Sequence, residues 1–211
     1  MMTAVWIWSG AAALYLLFRL WYDGVRRPLT PAEIDAFMAE AARGPTAGHN
    51  DLSIVRAFLE ADDGREFFMF NLVKFAEGDA PHPVTGEPTS ARAMMDRYMK
   101  AFMPALLARG GHPALAARKI AGYVDAWRVG PDPGWSIIGY MRYRSRRDMM
   151  RLVVDPRFND IHPFKLAGTA ETFSFPTRPV VMALIGPRLW LALVLALAAS
   201  LTQIAVLTLP A

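Results

Sequence analysis

Residues 67–75 read FFMFNLVKF, and this stretch decides how the middle of the chain can fold. Nine residues so rich in aromatic and branched side chains predict a β-strand rather than a helix. Side chains alternate between the two faces of a strand, and here both faces are apolar. The apolar side chains are Phe67, Met69, Val73 and Phe75 on one face, and Phe68, Phe70 and Leu72 on the other. Both faces of the sheet must therefore be covered.

The segments after this strand alternate between helix and strand signals. Ser90 follows a Pro/Gly-rich loop and caps a helix, which Gly110 and Gly111 end. The motif GPDPG predicts a turn of the hairpin type. The later elements are strands over 117–129 and 135–143, a helix over 145–153 that Ser145 caps, a helix over 155–166, and a strand over 171–175. The fold class is therefore α+β, with the β-α-β-β-α-β order of ferredoxin-like domains.

Two short helices precede the domain. Thr30, Pro31 and Glu33 form the capping-box pattern, which predicts a helix to about Arg43. A second helix is predicted over residues 51–61, where apolar side chains recur at helical spacing. We expect residues 25–64 to connect a membrane anchor to a domain spanning 65–178.

Both ends of the chain are apolar and uncharged. All 23 Lys and Arg and all 19 Asp and Glu lie between Arg19 and Arg188. Residues 4–22 and 189–209 are each long enough for a membrane-spanning helix, so the domains 1–24 and 179–211 are predicted as transmembrane segments. A cleaved signal peptide is the alternative for the first, but no Lys or Arg precedes it.

Small residues in the second span would let another helix approach closely. Gln203 could then hydrogen-bond to the first span or to a second subunit, although these side chains could equally face lipid. The small residues are Ala196, Ala198, Ala199 and Ser200.

The cations near the membrane set the orientation. Arg26 and Arg27 follow the first span, and Arg178 and Arg188 precede the second. The positive-inside rule therefore places the central domain in the cytoplasm and both termini outside the cell membrane.

Several function classes are disfavoured by composition. The net charge is +4, but acids are interspersed among the bases, so no nucleic-acid partner is expected. The chain has no Cys, and none of its four His has ligand spacing, so no metal site is predicted. No phosphate loop or nucleophile motif is present, so no cofactor is expected.

A few polar side chains interrupt apolar surroundings and are the ligand-binding candidates. Asn71 and Lys74 lie within the first strand, where a buried polar group needs a partner or a ligand. His162 has a tunable pKa and lies beside Phe158 and Phe164. The alternatives are an Asn that binds the backbone and tyrosines that pack in the core. The remaining candidates are Tyr98, Trp127 and Tyr140.

These segments resemble the dimeric α/β-barrel superfamily. The resemblance covers residues 65–177 and rests on FFMFNLVKF, the helix with Tyr98, and the stretches GYVDAW, WSIIGYMRY, YRSRRDMM and DPRFNDIHPFK. Within the superfamily the sequence is most similar to an uncharacterised family of small bacterial domains. It is more distantly similar to antibiotic-biosynthesis monooxygenases and muconolactone isomerases. The resemblance implies a homodimer in which two sheets pair face to face, here with added membrane spans.

Two functions fit these features. The lack of a recognisable catalytic constellation favours a noncatalytic scaffold or accessory subunit of a membrane complex, with the lipid bilayer, a second copy and other membrane-protein subunits as partners. The polar interruptions favour a binding protein or a cofactor-independent enzyme for a small apolar molecule. Whether the chain is an enzyme stays open at this point.

Overall fold

The computed structural model describes residues 2–45 and 47–208, which divide into two units. One unit comprises residues 26–178, and the other comprises the described parts of 1–25 and 179–211. In chain order the elements are α1 (Met2–Asp23), α2 (Pro31–Ala41), α3 (Leu52–Glu60), β1 (Phe67–Phe75), β2 (Asp79–Pro81), β3 (Pro88–Ser90), α4 (Ala91–Ala108), β4 (His112–Arg118), β5 (Ile137–Tyr143), α5 (Arg146–Val153), a 3-10 turn (Pro156–Phe158), α6 (His162–Gly168), β6 (Thr169–Thr177) and α7 (Pro187–Thr208).

The sheet of the larger unit is built around β1, whose bounds are those predicted from the sequence. Its four strands lie in the order β4-β5-β1-β6, and every neighbouring pair is antiparallel. The two outer strands each contain a proline, Pro113 in β4 and Pro176 in β6. The register of β4 also shifts between Pro113 and Leu115. The unit is therefore a mixed α+β fold on an antiparallel sheet, as predicted at that level.

The helices cover one face of this sheet. Met69 of β1 packs against a buried cluster that includes Leu59 of α3 and Met150 of α5. Met141 lies opposite Met69 on β5 and packs with Leu106 of α4. Side chains at the alternate positions of each strand therefore point to the opposite face.

The opposite face, called the open face below, carries a row of aromatic rings. None of its rings belongs to the three buried apolar clusters formed by residues 2–45 and 47–208. Phe173 and Phe175 on β6 are each 46% exposed, whereas Phe68 is buried. The open-face rings are Phe68, Phe70, Tyr140, Phe173 and Phe175.

α2 and α3 belong to the same unit as the sheet. The capping box at α2 is confirmed, since the Thr30 side chain accepts from the Glu33 backbone and Glu33 binds back to Thr30. Ile34 and Leu59, from α2 and α3, are buried with Phe67 of the sheet. The two helices therefore add to the apolar layer on the helix-covered face.

α4 and α6 pack closely through a glycine. A Cβ placed on Gly168 would lie 2.9 Å from the Ala91 carbonyl oxygen and 3.1 Å from Cγ of Met95. The predicted caps of α4 and α5 are confirmed, because Ser90 and Ser145 each accept from a backbone N–H in the first turn. The glycine allows α6 to lie directly on the start of α4.

One predicted strand is wrong. Residues 119–136 form no strand, and β4 instead ends at Arg118 and begins at His112. The segment contains Gly122 and the GPDPG turn, which break a regular ladder. Pro113 made the true strand look like a loop, although an edge strand tolerates a proline. β6 is also longer than predicted, and β2 and β3 form a short hairpin inside the predicted loop at 77–89.

The smaller unit contains two helices that are each long and apolar enough to cross a membrane. They pack together, with Ala199 of α7 buried. The Trp8 indole N–H donates to the Gln203 side-chain oxygen over 2.7 Å. At the other end of the pair, Asp23 of α1 accepts from Arg188 of α7 at 2.6 Å. Gln203 therefore bonds to α1, which is one of the two partners considered from the sequence.

Candidate functional site

Asn71 is bonded within the sheet. Its side-chain amide donates to the Met69 carbonyl over 2.9 Å and to the Gly139 carbonyl over 3.3 Å. Its side-chain oxygen accepts from the Ser174 hydroxyl at 2.7 Å. These bonds tie β1 to both of its neighbours. The interpretation of Asn71 as a residue that holds backbone groups therefore describes both bonds of its amide nitrogen, while its oxygen binds a side chain.

Lys74 and Tyr140 lie on the open face, away from the helices. The Lys74 ammonium is 3.1 Å from the Glu171 carboxylate on the neighbouring strand. The Tyr140 hydroxyl is 2.7 Å from the Thr177 hydroxyl, and its ring stacks on Phe68 with centroids 5.1 Å apart. Both polar groups are thus paired across strands, which is the usual cross-strand stabilisation of a sheet.

Trp127 lies in the 119–136 loop rather than on a strand. Its ring is 80% exposed, and its indole N–H donates to the Asp125 carboxylate. The predicted position of Trp127 on a strand over 117–129 is therefore wrong. Trp127 therefore does not join Tyr98 and His162, the two candidates that lie on helices.

Tyr98 and His162 are the two candidates that come together. Tyr98 lies on α4 and His162 begins α6, and their ring centroids are 6.0 Å apart. Both are buried, with 7% and 8% of their surfaces exposed. Phe158 lies 6.1 Å from His162 on the far side, between ring centroids. The α4–α6 interface therefore holds two polar side chains in an aromatic setting.

His162 has no hydrogen-bonding partner among the described residues. Both ring nitrogens are buried and unbonded. The Val153 backbone lies near enough to raise the pKa of His162 slightly, but neither ring nitrogen forms a hydrogen bond within the distance and angle limits. Burial lowers the pKa of His162, and the nearby charge of Lys165 lowers it further. Burial therefore favours the neutral form of the ring, in which one nitrogen donates and the other accepts.

Lys165 is a residue that sequence reasoning missed. It follows His162 by one helical turn, and its ammonium is 5.8 Å from the centroid of the Tyr98 ring. Burial lowers its pKa, and burial raises the pKa of Tyr98 to about 12. The spacing of three residues from His162 on an apolar helix was the available signal.

Metal binding finds no support in the part of the chain that the structure describes, because no three of its His, Asp or Glu side chains cluster there. A metal at the α4–α6 interface would need further ligands beside His162. What the interface can do is donate hydrogen bonds, from imidazole, phenol and ammonium groups, to a molecule held among aromatic rings.

Two solved structures of the protein RPA0582 have a similar fold. The crystal structure of RPA0582, a protein of unknown function from Rhodopseudomonas palustris, aligns with a TM-score of 0.53 at 16% identity. That alignment covers 63% of this chain and 96% of that one. The methylated RPA0582 protein aligns with a TM-score of 0.54 at 17% identity, over 64% of this chain and 96% of that one. At these identities the likeness concerns the fold alone.

No protein-family profile matches the sequence, and comparison with curated protein sequences gives no significant match. Function must therefore be argued from the side chains.

Proposed function

We propose that this chain is a membrane-anchored accessory or scaffold subunit whose α+β unit pairs with a second copy through the open face of its sheet. The observation that carries the proposal is the row of aromatic rings on that face. Phe173 and Phe175, which lie beside Phe70 and Leu72 on that face, leave nearly half of their surfaces exposed. A contiguous apolar patch of this kind marks an interaction surface in soluble domains.

The strand order supports a ferredoxin-like assignment. Two helical crossovers, one through α4 and one through α5 and α6, each connect strands that flank a third. This is the arrangement of a split β-α-β unit. In the dimeric barrels that the sequence resembles, such sheets pair face to face. A second copy would therefore cover the open face in a closed, twofold arrangement.

The two terminal helices are the proposed membrane anchors. Their length and composition suit a bilayer crossing, and the contact between Trp8 and Gln203 satisfies two polar groups that lipid could not. Arg26 and Arg178 bound the larger unit, so the positive-inside rule puts it in the cytoplasm. A reporter that is active only outside the cytoplasm should therefore work when fused after residue 211. Silence at that position, with activity at an insertion between Thr85 and Gly86, would reverse the orientation.

Pairing is tested by the mass of the full chain in detergent, measured by light scattering. The natural chain should be a dimer at tens of micromolar. Phe175→Asp places a charge in the open face and should give monomers, because each 100 Å² of apolar surface buried contributes about 2.5 kcal/mol before association costs. Val84→Asp, at an exposed position of the β2–β3 hairpin, is the control and should stay dimeric. A folded monomeric natural chain would contradict the proposal.

Binding of a small, largely apolar molecule is the second candidate function. The observation that favours it is His162, whose two buried nitrogens have no partner among the described residues. A buried polar group without a hydrogen bond is costly, and a ligand would remove that cost. Purification in mild detergent followed by mass spectrometry should detect a co-purified small molecule, and His162→Phe should lose it. Equal recovery from the variant would count against this candidate.

A further inference from the structure

Three basic or hydroxyl-bearing side chains meet at the α4–α6 interface without protein partners. His162 has two buried, unbonded nitrogens. The Lys165 ammonium and the Tyr98 ring lie 5.8 Å apart. Among residues 2–45 and 47–208, neither Lys165 nor the Tyr98 hydroxyl forms a hydrogen bond or an ion pair with a protein group. All three groups can donate a hydrogen bond, and a buried donor without an acceptor, as on His162, indicates a missing one.

The walls around these donors are apolar and mostly aromatic. Phe102 stacks on Tyr98, with ring centroids 5.5 Å apart. Phe158 flanks His162, and Met94 and Phe164 are each only 1% exposed. Flat rings and flexible methionines form adaptable surfaces for an apolar body. The site therefore combines one polar cluster with walls that suit a ring or a short hydrocarbon.

The charge at the site is one-sided. Lys165 and His162 are both bases, and Arg97 of α4 lies beside the same wall, with its guanidinium carbon 5.0 Å from the Phe164 ring centroid. No carboxylate forms an ion pair with these three side chains in the part of the chain that the structure describes. Without a paired carboxylate the site is positive, through a half-buried Lys165 and an exposed Arg97, so an anion would be favoured there.

We infer that the α4–α6 interface binds a small molecule that carries a carboxylate on an aromatic or similarly flat apolar body. The carboxylate accepts hydrogen bonds from Lys165, His162 and Tyr98, while the body packs against Phe102, Phe158 and Phe164. This assignment rests on the second candidate function and adds the chemical class of its ligand. Charge-assisted hydrogen bonds of this kind are about twice as strong as neutral ones.

The test uses the full chain in nanodiscs of zwitterionic phosphatidylcholine and two probes of the same size. 3-Phenylpropionate carries the carboxylate, and 3-phenylpropanol replaces it by a hydroxyl. Equilibrium dialysis measures the affinity of each, with empty nanodiscs as the blank. The acid should bind saturably and at least about tenfold more tightly than the alcohol, the ratio expected for one charge-assisted hydrogen bond.

Variants then locate the carboxylate. Lys165→Gln should weaken binding of the acid by about tenfold or more and leave binding of the alcohol unchanged. Lys100→Gln removes the same charge from an exposed position of α4 and should change neither. Tyr98→Phe removes only a hydroxyl group and should weaken the acid several-fold, so the test survives if Lys165→Gln fails to fold. Thermal unfolding of each variant, followed by circular dichroism, checks folding.

Each outcome separates the two ideas. Equal affinity for acid and alcohol, or no effect of both Lys165→Gln and Tyr98→Phe, overturns the carboxylate assignment but leaves a small-molecule site. If neither probe binds, the carboxylate assignment is overturned, and the co-purification experiment with His162→Phe decides the second candidate function separately.

Discussion

Trp8 and Gln203 are 195 positions apart in the chain, and a hydrogen bond of 2.7 Å joins the Trp8 indole nitrogen to the Gln203 oxygen. The bond lies between two helices whose other contacts are largely apolar. It gives α1 and α7 one specific register relative to each other. Such contacts are worth about 0.6 kcal/mol on average in membrane helices.

Gln203→Leu should therefore weaken the pairing of α1 and α7 by about 0.5–1.5 kcal/mol. The midpoint of unfolding in mixed micelles of mild detergent and dodecyl sulfate measures this. Thr202→Val is the matched control, because the Thr202 hydroxyl donates within its own helix to the Ala198 carbonyl. Equal midpoints for Gln203→Leu and Thr202→Val would mean that the bond contributes nothing to pairing.

Gly168→Ala should separate α6 from α4. The added methyl group would lie 2.9 Å from the Ala91 carbonyl oxygen, which is backbone and cannot move aside easily. Overpacking of this kind costs about 1–3 kcal/mol. Gly130→Ala adds the same group where no described atom lies within 4 Å and should be near neutral. The thermal unfolding temperature, followed by far-ultraviolet circular dichroism, compares the two variants.

Glu33→Gln should destabilise the larger unit by about 1–3 kcal/mol. The Glu33 carboxylate binds the Arg147 guanidinium at 3.0 Å, and this bond is the main reason that the pKa of Glu33 is lowered to about 2. Glutamine keeps the capping interaction with Thr30 but leaves the buried Arg147 without its counter-charge. Denaturant titration of the full chain in detergent gives the difference.

The control for that variant is Glu40→Gln. Glu40 pairs with Arg43 on the surface, where both side chains are more than half exposed. Exposed pairs contribute about 1 kcal/mol at most, so this change should be nearly silent. Similar losses of unfolding free energy for Glu33→Gln and Glu40→Gln would show that the Glu33–Arg147 pair contributes no more than an exposed pair.

His162 should make stability depend on pH near neutrality. Burial and the nearby Lys165 lower the pKa of His162 in the folded chain below 6.5. As the pH falls through 6.5, the unfolded chain therefore binds a proton that the folded chain does not bind. Stability should therefore fall as the pH decreases from about 7.5 through 6.5. His162→Gln should flatten this part of the profile, while His49→Gln, in an exposed turn, should not. Thermal unfolding temperatures at a series of pH values measure this dependence. The same change of unfolding temperature with pH in the natural chain and in both variants would contradict the role given to His162.

The sequence predicted elements whose signals are local. The bounds of β1 followed from an uninterrupted apolar run, and Thr30, Ser90 and Ser145 marked helix starts because a cap needs only the next three residues. The prediction of a strand over 117–129 failed because apolar and polar side chains in a loop can alternate as they do in a strand. The sequence alone does not show whether another strand pairs with them. Register is a tertiary property, and the neighbours of β4 lie beyond any local window.

Only part of the candidate site was predictable, again because sequence signals are local. Tyr98 and His162 stood out as polar groups on apolar helices, and packing of α4 on α6 brought them together. Asn71, Lys74 and Tyr140 stood out equally, but their partners lie on other strands and satisfy them there. Whether a polar side chain is paired depends on those cross-strand neighbours, which sequence spacing does not reveal.

The prolines of the two outer strands limit how this sheet can grow. Pro113 in β4 lacks the N–H that an added strand would bind, and the register shift beside it distorts the same edge. Pro176 likewise lacks an N–H on β6, at the other edge. Edge-to-edge addition, the route by which β-sheets propagate into fibres, is therefore disfavoured at both sides. Association through the face ends with two copies, whereas association through an edge has no natural end.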